Sequence, residues 1–124
     1  MIKRKEVKPI LELDSLAPGA KSRVIDAKPL DLRNVSALTI TIRVTHHSAA
    51  TQPVRVHVLS SPDGSVWDTE DYTVFDAHLL PGAESQKTVA IVPDIFYLTV
   101  QLENLDTAQA ATDIDVFATL GFEE

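Results

Sequence analysis

The sequence predicts an all-β protein, a single-domain antiparallel β-sandwich of about eight strands in a jelly-roll-like order. Three observations predict it. Apolar and polar residues alternate with a period of two in most segments between turns, which is typical of strands that pack one face on a core. Proline and glycine stand at the joins between these segments. Two sheets with one apolar face each bury both faces when they pack together.

The chain begins with short elements. Segment 10–13 is predicted to be an edge strand, because Pro9 has no amide hydrogen to donate to a ladder. A turn follows at Pro18 and Gly19. Segment 22–27, which contains two adjacent β-branched residues, is predicted to be a second short strand.

Segment 36–47 shows the clearest strand pattern. Its isoleucines and threonines favour strands and are poor helix formers. The alternation places four apolar residues on one face: Leu38, Ile40, Ile42 and Val44. A polar loop at 48–52 leads from this strand to the next element.

Segment 54–75 is predicted to be a β-hairpin, and the rest of the fold is organised around it. Arg55 and His57 fall on one face of its first strand, and three valines fall on the other. These valines are Val54, Val56 and Val58. The apolar face therefore belongs to the core.

The hairpin turn is predicted at residues 61–64. Pro62 presets φ, Asp63 can bond to the amides that follow it, and Gly64 can adopt positive φ without steric cost. Trp67 is predicted to open the return strand, where its large apolar surface can cover the hairpin.

Three more alternating strands are predicted, at 87–92, 95–104 and 112–120. Pro93 separates the first two, and the loop 105–111 has room for one helical turn. Their inward residues are predicted to be Val89, Ile91, Leu98, Val100, Leu102, Ile114, Val116, Ala118 and Leu120.

The pattern L-x-P-G-A-x-S occurs at 16–22 and again at 79–85. Each copy leads towards a proline and then a long alternating strand. A sandwich of two similar halves related by a pseudo-twofold axis would produce this repeat. Proline-glycine turns are common before strands, however, so coincidence remains an alternative.

A chain of 124 residues is expected to form one domain. It has no cysteine, which excludes a disulfide framework, a thiolate metal site and a cysteine nucleophile. No apolar run approaches the length of a membrane helix, and the basic start lacks the apolar core of a signal peptide. We therefore expect neither a membrane partner nor an export signal.

Charge is distributed unevenly along the chain. Residues 1–8 carry a net charge of +3 and the remainder a net charge of −10. We accordingly divide the chain into a basic N-terminal arm, 1–8, and a β-sandwich domain, 9–124. An acidic body repels nucleic acid backbones, so no direct nucleic acid binding is expected. The arm either docks onto a neighbouring copy or is a solvated terminus.

No catalytic, cofactor-binding or metal-binding residue is predicted, and the protein is not expected to be an enzyme. The sequence lacks the nucleophile-elbow, phosphate-loop and zinc-protease motifs. His46 and His47 are adjacent and should point to opposite faces, so they cannot share a metal. Asp113 and Asp115 would lie about 7 Å apart, as in an inverting glycosidase. Charges that protect an edge strand from aggregation explain the pair more simply.

The carboxylates between residues 63 and 71 suit calcium by their chemistry. Their spacing is not that of an EF-hand loop, which needs a glycine and a glutamate at set positions. A solvated acidic strand end is the alternative interpretation.

Residues 61–67, S-P-D-G-S-V-W, fall one residue short of the S-x-D-x-G-x-x-W box of sialidase-type propellers. One copy in so short a chain argues against a propeller. The order of this motif, the segment 97–104 and a terminal alternating strand resembles small β-sandwich structural proteins of tailed bacteriophages and prophages. The likeness covers residues 22–121. It implies a virion accessory protein, either a head-decoration or a tail-associated subunit, that works as an oligomer.

The expected partners are further copies of the chain, for example in a trimer, and a larger assembly such as a capsid or tail. The expected location is the virion. Candidate interface residues are the basic residues of the arm and three large apolar residues in outward positions of strands. They are Lys3, Arg4, Lys5, Lys8, Leu59, Phe75 and Phe117. The alternative is a carbohydrate-binding β-sandwich module, in which exposed aromatic rings stack on sugars.

Overall fold

The structure, a computed structural model, describes residues 4–123 and confirms the all-β sandwich. Over this range it contains eight strands and one short 3-10 helix, Val24–Asp26. The strands are β1 (Arg4–Leu16), β2 (Leu30–Asp31), β3 (Val35–His46), β4 (Val54–Ser61), β5 (Thr73–Asp76), β6 (Glu84–Ile91), β7 (Tyr97–Asn104) and β8 (Ala111–Phe122). Within residues 4–123 there is no helix of the length and apolarity that a membrane crossing requires.

The strands form two four-stranded antiparallel sheets. Their orders are β1–β8–β3–β6 and β2–β7–β4–β5. The chain passes from one sheet to the other at each connection, except at β4–β5, where the two strands pair directly. This order is that of an eight-stranded jelly roll built from two Greek keys. The fold class predicted from the alternating pattern is therefore correct.

The core lies between the two sheets and includes most of the residues that the alternation predicted to face inward. The three valines of β4 are fully buried, as are the inward residues of β3 and β7. Burying each such side chain stabilises the fold by roughly 1.5–3 kcal/mol. The buried core residues of the three strands are Leu38, Ile40, Ile42, Val44, Val54, Val56, Val58, Leu98, Val100 and Leu102.

The prediction of a strand at 22–27 is wrong. Residues Val24–Asp26 form a 3-10 turn, and Ile25 is 83% exposed. Arg23 stabilises the turn locally, since its guanidinium donates to both carboxylate oxygens of Asp26, at 2.9 and 3.2 Å. The strand in this region is the two-residue β2, which pairs with β7. Local hydrogen bonding overrides the strand preference of the β-branched residues here.

β1 is an edge strand, as predicted, but it is longer than expected. It starts at Arg4 and pairs with β8 along its length, with a register shift between Pro9 and Leu11. The segment 4–8, which the charge pattern set apart as an arm, thus belongs to a strand of the sandwich. Lys3 lies outside the described residues.

The predicted hairpin exists, because β4 and β5 pair with Val58 opposite Thr73. Its return strand does not begin at Trp67, however. Trp67 lies in a long connection, residues 62–72. The Oδ1 atom of Asp63 accepts the amides of Ser65 and Val66 at 2.8 and 3.0 Å. These amides are therefore engaged in the turn instead of a strand ladder.

The two L-x-P-G-A-x-S segments form the same turn. Gly19 and Gly82 both have positive φ, 67° and 79°. The amides of Ala20 and Ala83 each bond to the carbonyl three residues earlier, at 3.1 Å. The turns follow β1 and β5, which are equivalent strands of the two halves. If β1, β8, β3 and β6 are replaced by β5, β4, β7 and β2, the order of the first sheet becomes the order of the second sheet read in reverse. The predicted pseudo-twofold relation is thus present in the topology.

β8 contains a bulge opposite Val44, where its register with β3 shifts. Thr112 and Asp113 are both exposed between buried Ala111 and Ile114. Asp113 adopts a φ of 51°, in the left-handed region that favours glycine. The strict alternation predicted for this strand therefore begins only after the bulge.

Candidate binding surfaces

The basic residues of the N-terminal segment lie on the outer edge of β1 and are partly neutralised. Arg4 donates to Glu6 Oε2 at 2.9 Å, and its guanidinium lies 4.2 Å from the ring centroid of Phe122. Lys8 Nζ lies 3.7 Å from the other Glu6 oxygen. Lys5 is exposed. Glu6 thus balances part of the positive charge at this edge.

The three apolar interface candidates lie on three different surfaces. Leu59 is on the outer face of the β2–β7–β4–β5 sheet but is only 7% exposed. Phe75 faces inward, opposite Val56, and packs against the core. Phe117 is on the outer face of the other sheet, where the Arg43 guanidinium lies 5.7 Å from its ring centroid. The structure does not bring these residues together.

A strip of exposed apolar residues lies instead along the side of the sandwich where β5 and β6 are the edge strands. We call it the β5–β6 strip: Tyr72, Val74 and Val92, which are 36%, 46% and 60% exposed. The Tyr72 hydroxyl donates to the Val92 carbonyl at 2.7 Å and joins the two sheets. Sequence reasoning missed this strip, because the alternation in β5 does not reveal which face is inward.

The outer face of the β2–β7–β4–β5 sheet carries an open groove of about 720 Å³, which we call the Trp67 groove. Leu59 on β4 and Gln101 on β7 belong to its floor. Trp67, from the β4–β5 connection, lines one side, and Lys21 and Val24 line the other. The remaining lining residues are His57, Asp68, Thr69, Glu70 and Asp71.

His57 fastens the wall of the Trp67 groove to the sheet. Its Nδ1 lies 2.9 Å from Asp71 Oδ2 in the connection, and its Nε2 lies 2.9 Å from Glu103 Oε1 on β7. Both partners are carboxylates, so both bonds form at once when each ring nitrogen carries a hydrogen. Backbone bonds add to this attachment, since the Asp68 amide donates to the Ser60 carbonyl at 2.9 Å.

A buried polar cluster closes the end of the sandwich near the β7–β8 loop. Asn104 is 1% exposed, and its Nδ2 donates to the carbonyls of Leu16, Ala17 and Gln109 at 3.2, 3.3 and 2.9 Å. Its Oδ1 accepts the amide of Asp106 at 3.1 Å. The amide side chain therefore ties β1 to the β7–β8 loop.

Asp106 and His46 belong to the same end of the molecule. The amides of Thr51, Ala108 and Gln109 donate to Asp106 and lower its pKa to about 2. His46 is 2% exposed, and burial lowers its pKa. Its Nε2 accepts the Val54 amide at 3.1 Å. These side chains bond to backbone groups, which is a structural role.

The residues considered for chemistry are dispersed. His46 is buried and His47 exposed, as expected for neighbours at a strand end. Asp63 is held in its turn by the amides of Ser65 and Val66. Among residues 4–123, no group of three or more histidine, aspartate or glutamate side chains could hold a metal ion.

No protein-family model matches the sequence, and no curated protein matches it by sequence. Solved structures share the fold. PBSX exported protein XepA superposes with a TM-score of 0.59 and 11% identity, over 96% of this chain and 38% of that one. The infectious bursal disease virus VP2 subviral particle matches with a TM-score of 0.55 and 11% identity, over 98% and 33%. This chain thus spans less than half of either protein.

Proposed function

We propose that the protein is a non-enzymatic structural subunit of a bacteriophage virion. In this role it decorates the capsid or associates with the tail, and it acts through contacts with copies of itself and with a larger protein assembly. The β5–β6 strip carries the proposal. The jelly-roll fold supports it, because this fold is common in viral capsid domains and is shared with the VP2 particle.

The strip has the properties of an assembly surface. β5 and β6 are both edge strands, and an edge strand presents unpaired backbone groups to which another chain can bind. Lysines often protect such edges from pairing. Lys87 on β6, however, bends back, and its Nζ donates to the Asp76 carbonyl at 2.9 Å. Tyr72, Val74 and Val92 add exposed apolar surface beside this edge, so covering them with a second copy is favourable.

The mass of the protein in solution, measured by gel filtration with light scattering, tests the proposal. The native chain is expected to form a defined oligomer, and Val74→Lys is expected to shift it towards the monomer. Ile25→Lys is the matched control, because Ile25 is also exposed but lies on the 3-10 turn, away from β5 and β6. A native chain that stays monomeric at high concentration, or equal behaviour of the two variants, contradicts the proposal.

A further inference from the structure

We propose that the Trp67 groove is a binding site for a neutral glycan. This inference goes beyond the assembly role and does not depend on it. The groove lies across β4 and β7 on the outer face of the β2–β7–β4–β5 sheet, whereas the β5–β6 strip lies at the β5 and β6 edges. The two surfaces come nearest at Val74, which is paired with His57. The volume of the Trp67 groove, about 720 Å³, is within the usual range for ligand sites.

The groove combines the two kinds of surface that a sugar ring requires. One face of a sugar ring presents C–H groups, which pack well against an indole or an aliphatic side chain. Trp67, which is half-buried, provides the indole surface, and Val24 adds aliphatic surface on the opposite side of the groove. The hydroxyl groups at the rim of a sugar need oriented acceptors and donors, and carboxylate and amide side chains supply both. Asp68, Glu70 and Gln101 are placed around the apolar part of the groove.

The charges of the groove favour a neutral ligand. Asp68, Glu70 and Asp71 repel phosphates, sulfated sugars and nucleic acid. A lysine- or arginine-rich protein segment is the competing ligand, but it would meet Lys21 on the opposite side. The Asp71 carboxylate is moreover already bonded to His57. The positive charge of Lys21 and the bond between Asp71 and His57 therefore weaken the attraction of the groove for a cationic partner.

The groove is held in shape before a ligand binds. Gln101 Nε2 donates to the Ser22 carbonyl at 3.0 Å, which orients the side chain of the floor. The connection that carries Trp67 is fastened by His57 and by the Asp68 amide. A rigid site loses less conformational entropy on binding, so a moderate number of contacts suffices.

Trp67 is the only tryptophan of the chain, so its fluorescence reports directly on the groove. We would titrate the native protein with cellohexaose, maltohexaose, mannohexaose and N-acetylchitohexaose, and measure affinity by calorimetry. Heparin and a lysine-rich peptide serve as charged probes. At least one neutral oligosaccharide is expected to bind and to change the tryptophan emission, while heparin does not bind.

Two variants locate the site. Trp67→Ala is expected to weaken binding about tenfold or more, and Gln101→Ala, which keeps the aromatic wall, is expected to weaken it less. Phe117→Ala is the matched control, because it removes an aromatic ring on the outer face of the other sheet. Absence of binding by every neutral probe overturns the proposal. Equal loss in Phe117→Ala, or binding of the lysine-rich peptide alone, also overturns it, the latter in favour of a basic protein ligand.

Discussion

Asp71 Oδ2 lies 2.9 Å from His57 Nδ1, and this contact attaches the β4–β5 connection to the outer face of its sheet. The other nitrogen of the same ring bonds Glu103 on the adjacent strand β7. One imidazole thus joins three chain segments. The position of Trp67, four residues before Asp71, depends on this attachment.

Replacing His57 by alanine is expected to loosen the connection 62–72 without unfolding the sandwich. The two lost side-chain bonds are partly exposed, so we expect a cost of about 1 kcal/mol in unfolding free energy. The Trp67 emission should shift to longer wavelength, and proteolysis within 62–72 should become faster. His47→Ala, which removes an exposed histidine elsewhere, is the control. Unchanged emission and proteolysis in His57→Ala would show that the backbone bonds alone hold the wall.

Asn104→Ala is expected to be strongly destabilising. The substitution leaves the buried Leu16 carbonyl, the partly buried Gln109 carbonyl and the Asp106 amide without the bonds that Asn104 makes to them. A cost of about 2–4 kcal/mol follows, measured as the shift of the urea midpoint at constant slope. Gln109→Ala keeps the backbone carbonyl and should change stability little. A loss below 1 kcal/mol in Asn104→Ala would contradict the role of this cluster.

Asp106 should make the fold sensitive to acid. Its folded-state pKa of about 2 lies below the unfolded value of about 3.9. At pH values above the unfolded-state pKa, the ionised carboxylate therefore stabilises the fold. This contribution is lost as the pH falls towards 2. In Asp106→Asn, the fall in stability between neutral pH and pH of about 2.5 should be smaller than in the native chain.

Asp31 provides the matched control for this pH dependence. Its pKa is also lowered to about 2, by hydrogen bonds from Arg33, but the pair is exposed to solvent. Solvent screening reduces the contribution of such a pair. Asp31→Asn should therefore alter the acid dependence less than Asp106→Asn does. The reverse order, measured by urea unfolding at each pH, would be incompatible with the proposed role of Asp106.

Asp113→Val is expected to destabilise the protein, although valine ordinarily favours strands. The residue has a φ of 51°, where a β-branched side chain is strained. We expect a loss of about 1–2 kcal/mol in thermal or urea unfolding. Thr112→Val, at the preceding exposed position, should be neutral or slightly stabilising. If both variants behave alike, the left-handed conformation is not retained in solution.

Alternation of apolar and polar residues was enough to place the side chains of three strands in the core. Alternation is a local property, because successive side chains of a strand point to opposite faces whatever strand lies beside them. For that reason the inward residues of β3, β4 and β7 were predicted correctly. The turn chemistry of Asp63 is equally local, since its carboxylate bonds amides only two and three residues away.

Other features of the molecule depend on contacts between segments that are distant in the sequence. Pairing with β8 extends β1 back to Arg4, through a charged segment with little strand character of its own. The Trp67 groove and the β5–β6 strip combine residues from distant segments. Which segments meet depends on long-range packing of the sheets, and a period of two carries no information about it.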